Sequence, residues 1–460
     1  MKNNWKKWSL IAVFWLVLWE VLSLVVGNTL LLPGPIDTLK ALAALLVDSK
    51  FYLDALATIG RCLAAMALAL IAGTLLSICA YKWHWARDIL SLPVSLFKTI
   101  PIMAVAIYMI LLMSAGSVPV LVCWIMCFPI VYTNLLAGLD SMDIKLPEMA
   151  KVYRIEGYKL VRWIYMPSLY PHFRSAMSLV AGMSWKAIVT AEVLSIPQLS
   201  LGYELMNAKY YLTTDRLFAY VVVLIIISVL FERLIKKLVA LLEPRSYEHS
   251  KILKNAAVLS DRGTSIIAAA SLEPSSVALE NISKSFGDKQ VLKNFNMKFE
   301  PGTTTAIMGV SGKGKTTIAR IIAGLETPDS GTVKVTGPTA SYLFQEDRLL
   351  PWLNVYDNLA IINPDPSRIT ATIKAVGLTT ESYKLPSELS GGMSYRVAMA
   401  RAFLYDSGLL IADEPFRGLD SKTRSDVIKN LWIPGTNGKT VLLITHSEED
   451  AELADRIIRL

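Results

Sequence analysis

Apolar residues crowd the first half of the chain into long runs, and these runs stop near Leu242. The first covers residues 9–26, close to the roughly 20 residues that a membrane-spanning helix needs. Comparable runs cover residues 59–81, 93–113, 118–136, 173–194 and 217–241. Together they predict an all-α, six-helix transmembrane domain with both of its ends on one side of the bilayer. Residues 36–47 are shorter and amphipathic, and are expected to lie on the membrane surface. A cleavable leader would carry a shorter apolar core and a small-residue cleavage site. Residues 9–26 have neither, so they are read as a span. From Val277 onward short apolar strands alternate with helical stretches, the signature of a mostly parallel sheet covered by helices. Residues 243–276 lie between the two patterns and hold too little apolar surface to order themselves, so they read as a tether. The expected organisation is multi-domain: a transmembrane domain over 1–242, a linker over 243–276 and an α/β domain over 277–460.

Composition sharpens this division. The chain is 53% hydrophobic and only 18% charged, whereas a soluble domain is about a quarter charged. That average excludes an ordinary cytosolic enzyme and a disordered protein. The net charge of +8 would suggest nucleic acid, but the basic residues gather at the ends of apolar runs. Lys2, Lys6 and Lys7 precede the first run, and Lys82 and Arg87 follow the second. Lys145, Lys151, Arg154, Lys159 and Arg162 follow the fourth, and Lys236, Lys237 and Arg245 close the last. Opposite segments carry only Lys40, Lys50 and Lys209, with Arg216 at a boundary. Basic loops mark the cytoplasmic side, so both termini are expected there and no nucleic-acid partner is needed. Cys62, Cys79, Cys123 and Cys127 all fall in apolar runs without metal-ligand spacing, and small apolar packing is their expected role. Glu20, Lys98, Lys186 and Glu192 lie in or near spans. Charge in lipid is costly. These four groups either line a polar path for a charged solute or pair internally, a lysine with a glutamate, with Glu20 alternatively reaching the interface; the pattern leaves both open.

Candidate chemistry sits in the second half. Gly309, Val310, Ser311, Gly312, Lys313, Gly314, Lys315, Thr316 and Thr317 follow the strand 303–308 and run into the helical stretch 317–324. Strand, glycine-rich loop and helix make a phosphate-binding loop. The glycines let backbone N–H groups converge on phosphates, Lys315 neutralises them, and Thr316 offers its hydroxyl to Mg²⁺. ATP with Mg²⁺ is the expected ligand pair. A second apolar strand, 409–412, runs into Asp413 and Glu414, which puts two carboxylates at a strand's C-terminal end beside the phosphates. Asp413 is expected to hold Mg²⁺ through water, and Glu414 to polarise the attacking water. The strand 441–445 delivers His446 to the same edge, where it is expected to sense the γ-phosphate.

Leu389-Ser390-Gly391-Gly392-Met393 separates one family from other phosphate-loop proteins. The second half is identified as a member of the ABC-transporter ATPases, and the first half resembles their importer permeases. The resemblance implies that Phe286 stacks on adenine, and that Gln345 senses Mg²⁺ and the membrane domain. It also implies that Ser390, Gly391 and Gly392 touch the γ-phosphate, and that Asp420, in Gly418-Leu419-Asp420, is the family's D-loop aspartate. The stretch with Glu148, Ala150, Gly157, Ile164 and Pro167 resembles the cytoplasmic coupling loop of binding-protein-dependent importers, with Arg154 where that family has glycine. A bulky residue adopts positive φ there at a cost of about 1–2 kcal/mol, so Gly157 is expected to supply the bend instead. Met393 and Lys313 also depart from the family pattern, while every group needed for hydrolysis is present. The tract Phe344–Trp352, Ser184-Trp185-Lys186 and Ala191-Glu192 resemble the nitrate, sulfonate and taurine branch.

The expected protein is an importer half-transporter, permease and ATPase in one chain, in a bacterial plasma membrane. It would carry a small anionic solute such as a sulfonate, taurine or nitrate. Its implied partners are a second copy, a separate extracytoplasmic substrate-binding protein and the lipid bilayer. The rival readings are an ABC exporter half-transporter, which would have longer cytoplasmic helices, and a nucleotide-gated sensor without transport. Intact Lys315, Asp413, Glu414 and His446 oppose the sensor.

Overall fold

The computed structural model describes residues 4–243, 273–310, 312–337 and 340–460. Most of the expected linker 243–276, and Ser311 of the phosphate loop, lie outside the described residues. The chain divides into two compact units, Met1–Met142 with Ser168–Glu243 and Asp143–Pro167 with Pro244–Leu460. The segment Asp143–Pro167 thus packs with the α/β unit, although it interrupts the helical one in sequence.

In chain order the helices are α1 (Asn4–Val26), α2 (Pro35–Val47), α3 (Ser49–Lys82), α4 (His84–Thr99), α5 (Ile102–Ile110) and α6 (Val118–Asp140). The short α7 (Lys145–Val152) and α8 (Gly157–Leu160) precede α9 (Met166–Ser195), α10 (Leu201–Tyr210) and α11 (Thr214–Leu241). Among the described residues 5 helices are long and apolar enough to cross a membrane, or 6 if α4 and α5 count as one bent span. The expected run 93–113 is not one straight helix, because α4 and α5 meet at 97°. Pro101 explains the break. It cannot donate to the helix ladder, and it pushes the preceding residue out of the helical region; Ile100 is extended, with ψ 128°. Residues 36–47 do form a helix, α2, whose buried stripe of Thr38, Ala41 and Leu45 belongs to a helix packed on α11. The core of this unit brings Cys62, Ala65 and Ala69 of α3 against Cys123, Cys127 and Val131 of α6.

Glu192 is fully buried, but its partner is not a lysine. Its carboxylate accepts from Arg61 Nη1 at 2.7 Å and Thr58 Oγ1 at 3.0 Å, both on α3, and from Gly202 N at 3.3 Å. A planar guanidinium that never loses its charge suits such a buried pair better than an ammonium. Glu20 lies half-buried beside Gly34, where α2 begins.

The α/β unit holds a 5-stranded parallel sheet of order β5-β6-β7-β3-β8 and a 3-stranded antiparallel sheet of order β2-β1-β4. The strands are β1 (Val277–Phe286), β2 (Lys289–Phe299), β3 (Thr304–Met308), β4 (Ser330–Val335), β5 (Ala340–Leu343), β6 (Leu409–Asp413), β7 (Thr440–Ile444) and β8 (Arg456–Arg459). All residues of β6 and β7 are buried, as expected for strands covered on both faces, which read as unbroken apolar runs.

One buried acid in this unit sets a pH dependence. Asp357, in the helix Val355–Ala360, is 3% exposed, and its Oδ2 has no hydrogen-bond partner. Burial raises its carboxyl from 3.8 to about 7, with Asn354 pulling weakly the other way. The folded state therefore holds a proton that the unfolded chain has lost over that interval, and this group's contribution to stability falls as pH rises through it. Asp357→Asn removes the penalty. The melting temperature of the variant relative to the parent should rise between about pH 4 and pH 7 and level off above that; a constant gap would exclude Asp357 as the titrating group.

Candidate functional site

At one edge of the parallel sheet β3, β6 and β7 end next to one another, and a cavity of about 280 Å³ opens there. Its lining combines Phe286, Lys289 and Val291 from the antiparallel sheet with Gly312, Gly314, Lys315, Thr316 and Thr317 from the loop after β3. Gln345, Asp413, Glu414, Ile444 and His446 complete it. Gly314 caps the helix Lys315–Ile322 with φ 88°, and an added Cβ would come within 3.0 Å of Val291 and Leu292. Only glycine combines that dihedral with that approach. The helix then turns its first N–H groups, and the positive end of its dipole, into the cavity.

Lys315, Asp413 and Glu414 are each held by specific contacts. Lys315 is 7% exposed, and Nζ donates to the carbonyls of Gly309 at 2.7 Å and Val310 at 3.0 Å. Thr316 Oγ1 donates to Asp413 Oδ2 at 3.0 Å. Burial raises the Asp413 carboxyl to about 6; Thr316 opposes the shift and neighbouring Glu414 adds to it. Glu414 has φ 52°, an uncommon conformation for a residue with a Cβ. Its N–H donates to Ile444 O at 2.8 Å, and Tyr395 Oη donates to the Asp413 and Glu414 carbonyls at 3.2 and 3.1 Å. These bonds hold the Glu414 carboxylate at the cavity, where Gln345 Nε2 donates to it at 3.1 Å and His446 Nε2 lies 3.4 Å away. Next to His446 in the chain, Thr445 Oγ1 donates to Asp450 at 3.1 Å, the partner of Arg424 at 2.6 Å. Hard oxygens of a hydroxyl and a carboxylate within 3.0 Å of each other fit Mg²⁺, which takes oxygen ligands and keeps places for water and phosphate.

Other candidates fall outside the lining. Gly309 has φ 154° and abuts Leu460, Val310 is 66% exposed, and Lys313 is exposed. The extra positive charge of Lys313 therefore stays in solvent. Ser390 caps the helix Gly391–Leu404, accepting from Met393 N at 3.3 Å, and Asp420 caps Ser421–Val427, accepting from Thr423 N at 3.0 Å. Ser390, Gly391, Gly392 and Asp420 do not line the cavity of their own chain. Met393 packs its side chain against the core of the α/β unit. Lys289 and Val291 line the cavity without having been expected; their only sequence signal is the strand that pairs with β1 next to Phe286.

The sequence matches the family described as "Binding-protein-dependent transport system inner membrane component" over residues 65–246, and that described as "ABC transporter" over residues 292–417. An aliphatic sulfonates import ATP-binding protein of Albidiferax ferrireducens is 40% identical over 195 residues, covering 40% of this chain and 69% of that one. The chain belongs to the ABC transporter family. Its relatives include an aliphatic sulfonates import ATP-binding protein of Rhodococcus jostii, 42% identical over 190 residues and covering 40% of this chain and 78% of that one. A sulfate/thiosulfate import ATP-binding protein of Mesostigma viride is 35% identical over 205 residues, covering 40% of this chain and 58% of that one. This ABC transporter joins an importer-type permease segment to an ATP-hydrolysing unit in one multi-pass membrane chain.

The transporter's α/β unit also holds the segment Asp143–Pro167. Glu148 receives Arg320 Nη1 and Nη2 at 3.1 and 2.6 Å and Arg348 Nη1 at 2.7 Å. Hydrogen bonds from Arg320, and then from Arg348, outweigh burial and hold the Glu148 carboxyl below its usual range. Arg320 lies on the helix that starts at Lys315, and Arg348 follows Gln345 closely. Tyr153 is 4% exposed, donates to Tyr342 O at 3.0 Å, and lies under the Arg401 guanidinium at 5.4 Å. Ala150, Ile164 and Pro167 are buried here. Arg154 has φ 52° and Gly157 φ 57°. Arg154 therefore makes the left-handed turn itself, at about 1–2 kcal/mol, and Gly157 adds a second one rather than replacing it. Arg320, Tyr153 and Arg401 carried no motif signal, and Arg348 only its place in the tract Phe344–Trp352.

Proposed function

We propose that the chain is half of an ATP-driven importer, working as a pair of copies in a bacterial plasma membrane with both termini in the cytoplasm. The spans of 1–242 form the permease, 277–460 the ATPase, and 243–276 the tether. A separate extracytoplasmic binding protein delivers a small anionic solute of the sulfonate, taurine or nitrate kind; the sulfonate and sulfate importers among its relatives support that class.

In this reading Phe286 stacks on adenine, and the loop from Gly309 to Thr317 cradles the phosphates with Lys315 as the counter-charge. Thr316, Asp413 and Gln345 hold Mg²⁺, which would screen the phosphate charge. Glu414 accepts a proton from the attacking water, and His446 orients toward the γ-phosphate. Ser390, Gly391, Gly392 and Asp420 complete the site of the partner copy.

The observation that carries the reading is the clamp on Glu148. One carboxylate grips the helix that begins at Lys315 and the segment that follows Gln345, so the phosphate loop and the Gln345 tract cannot separate without moving the segment that leads into α9. The experiment is uptake of radiolabelled taurine, an alkanesulfonate and nitrate by cells producing the chain with a binding protein. Uptake of one of these, abolished by Lys315→Ala, is the expected result. ATP-dependent extrusion without uptake would replace the importer by an exporter.

A further inference from the structure

Two lysines in the helical unit form no salt bridge with another described residue. Lys98 stands near the end of α4 and Lys186 within α9; both side chains are exposed. Glu232 of α11 lies within electrostatic reach of Lys186, but it makes its salt bridge with Lys236. Contacts with α6 fix their depth. Phe97, beside Lys98, places its ring 6.1 Å from that of Trp124 and 6.3 Å from that of Phe128. The carbonyl of Ser184, shortly before Lys186, lies 3.6 Å from Cys123 Sγ. Both lysines are therefore level with the stretch of α6 from Cys123 to Phe128. That stretch is about 8–15 Å from the helix end at Val118, at 1.5 Å per residue, within a hydrocarbon layer about 30 Å thick.

A lysine that met lipid at this depth would be strongly disfavoured. This unit neutralises a charge where neutrality is needed, since Glu192 is fully buried against Arg61. Lys98 and Lys186 are treated differently. Beside Lys98 the backbone breaks at Ile100 and Pro101, with the 97° bend between α4 and α5. Irregular backbone at membrane depth survives only inside protein or along a water-filled cavity. Thr190, one turn from Lys186, is exposed on the same face of α9.

We propose that Lys98 and Lys186, with their counterparts in a second copy, line an aqueous path through the permease and form its anion-binding site, for a small solute bearing a sulfonate or similar oxoanion. The proposal rests on the importer reading and deepens it. The second copy is the occupant of the exposed face because one chain supplies the cavity residues of the ATP site but not Ser390. Each ammonium offers three donors and no acceptor, which suits an oxoanion, and several such charges at one level bind it without trapping it.

The test labels cysteines in the full chain reconstituted in vesicles. Lys186→Cys and Lys98→Cys are each treated with sulfonatoethyl methanethiosulfonate, an anion, and with its trimethylammonioethyl analogue, a cation of similar size. The parent chain, with Cys62, Cys79, Cys123 and Cys127, sets the background. Both sites should react from water in at least one nucleotide state. The anionic reagent should be favoured roughly tenfold, an electrostatic focusing effect, and Lys98→Gln should reduce that preference at Lys186→Cys. If Lys186→Cys fails to accumulate, Lys98→Cys with Lys186→Gln carries the same comparison. Absence of labelling in every nucleotide state, or equal rates for the two reagents, would overturn the proposal. Uptake by the parent chain tests the importer reading separately: uptake without labelling overturns the path alone, whereas anion-selective labelling supports the site even where uptake is absent.

Discussion

Glu414→Gln is expected to leave ATP binding near normal and to lower turnover about a hundred- to ten-thousand-fold, the range associated with loss of a general base. The geometry explains both halves of that result. The Glu414 side chain touches Gln345 and His446, whereas in the proposed mechanism Lys315 and the first turn of the helix Lys315–Ile322 supply the positive field for phosphate. Glutamine fills the same space and keeps an acceptor for Gln345, but it cannot take a proton from water. Trapped nucleotide should hold the two ATPase units closed. Lys315→Ala should behave differently and weaken binding itself, because it removes charge felt in the ground state and the transition state alike. Nucleotide binding and phosphate release, measured on the same membrane preparations, separate the two variants. Near-normal turnover in Glu414→Gln would remove that residue from the mechanism.

Glu148→Ala should strike uptake harder than hydrolysis. It deletes three charge-assisted hydrogen bonds and leaves Arg320 and the largely buried Arg348 facing each other without a shared counter-charge. Discounted for partial exposure, the loss is about 3 kcal/mol, or roughly a hundredfold in how often the segment is docked. The cavity residues are untouched, so hydrolysis by the solubilised protein should persist. Solute moved per ATP should fall at least tenfold by the same reasoning. Glu148→Asp, which keeps the charge on a shorter stem, should recover part of it. An unchanged ratio in Glu148→Ala would show that Tyr153 and the other buried contacts carry coupling without the clamp.

What the sequence made legible followed from local pattern. β3, its glycine loop and the helix behind it are contiguous, and so are β6 with Asp413 and β7 with His446; the parallel sheet then brings the strand ends together as a matter of topology. Contacts far apart in sequence left no trace. Arg320 and Arg348 lie 172 and 200 residues from Glu148, and Arg61 lies 131 from Glu192. Arg61 also sits in a run whose apolar neighbours conceal it. Near-continuous hydropathy over 93–113 hid the break that Pro101 imposes. The left-handed turn at Arg154 was assigned to Gly157 because glycine is the cheaper residue there. Its neighbours Tyr153 and Ile155 are both buried, and Ile155 N donates to Ala150 O at 2.8 Å, which holds the costlier choice in place.

The central claim is that two copies of this chain share each ATP site, the cavity of one facing Ser390 of the other. Lys315→Ala and Ser390→Arg each damage both sites of a pure pair and should abolish hydrolysis. In a mixed pair one site collects both lesions and the other collects none. Mixed pairs isolated through two different tags should therefore hydrolyse ATP, provided one intact site can turn over, with activity proportional to the mixed fraction. If isolated mixed pairs are as inactive as either parent, while unmutated pairs carrying the same tags are active, the shared-site account is wrong.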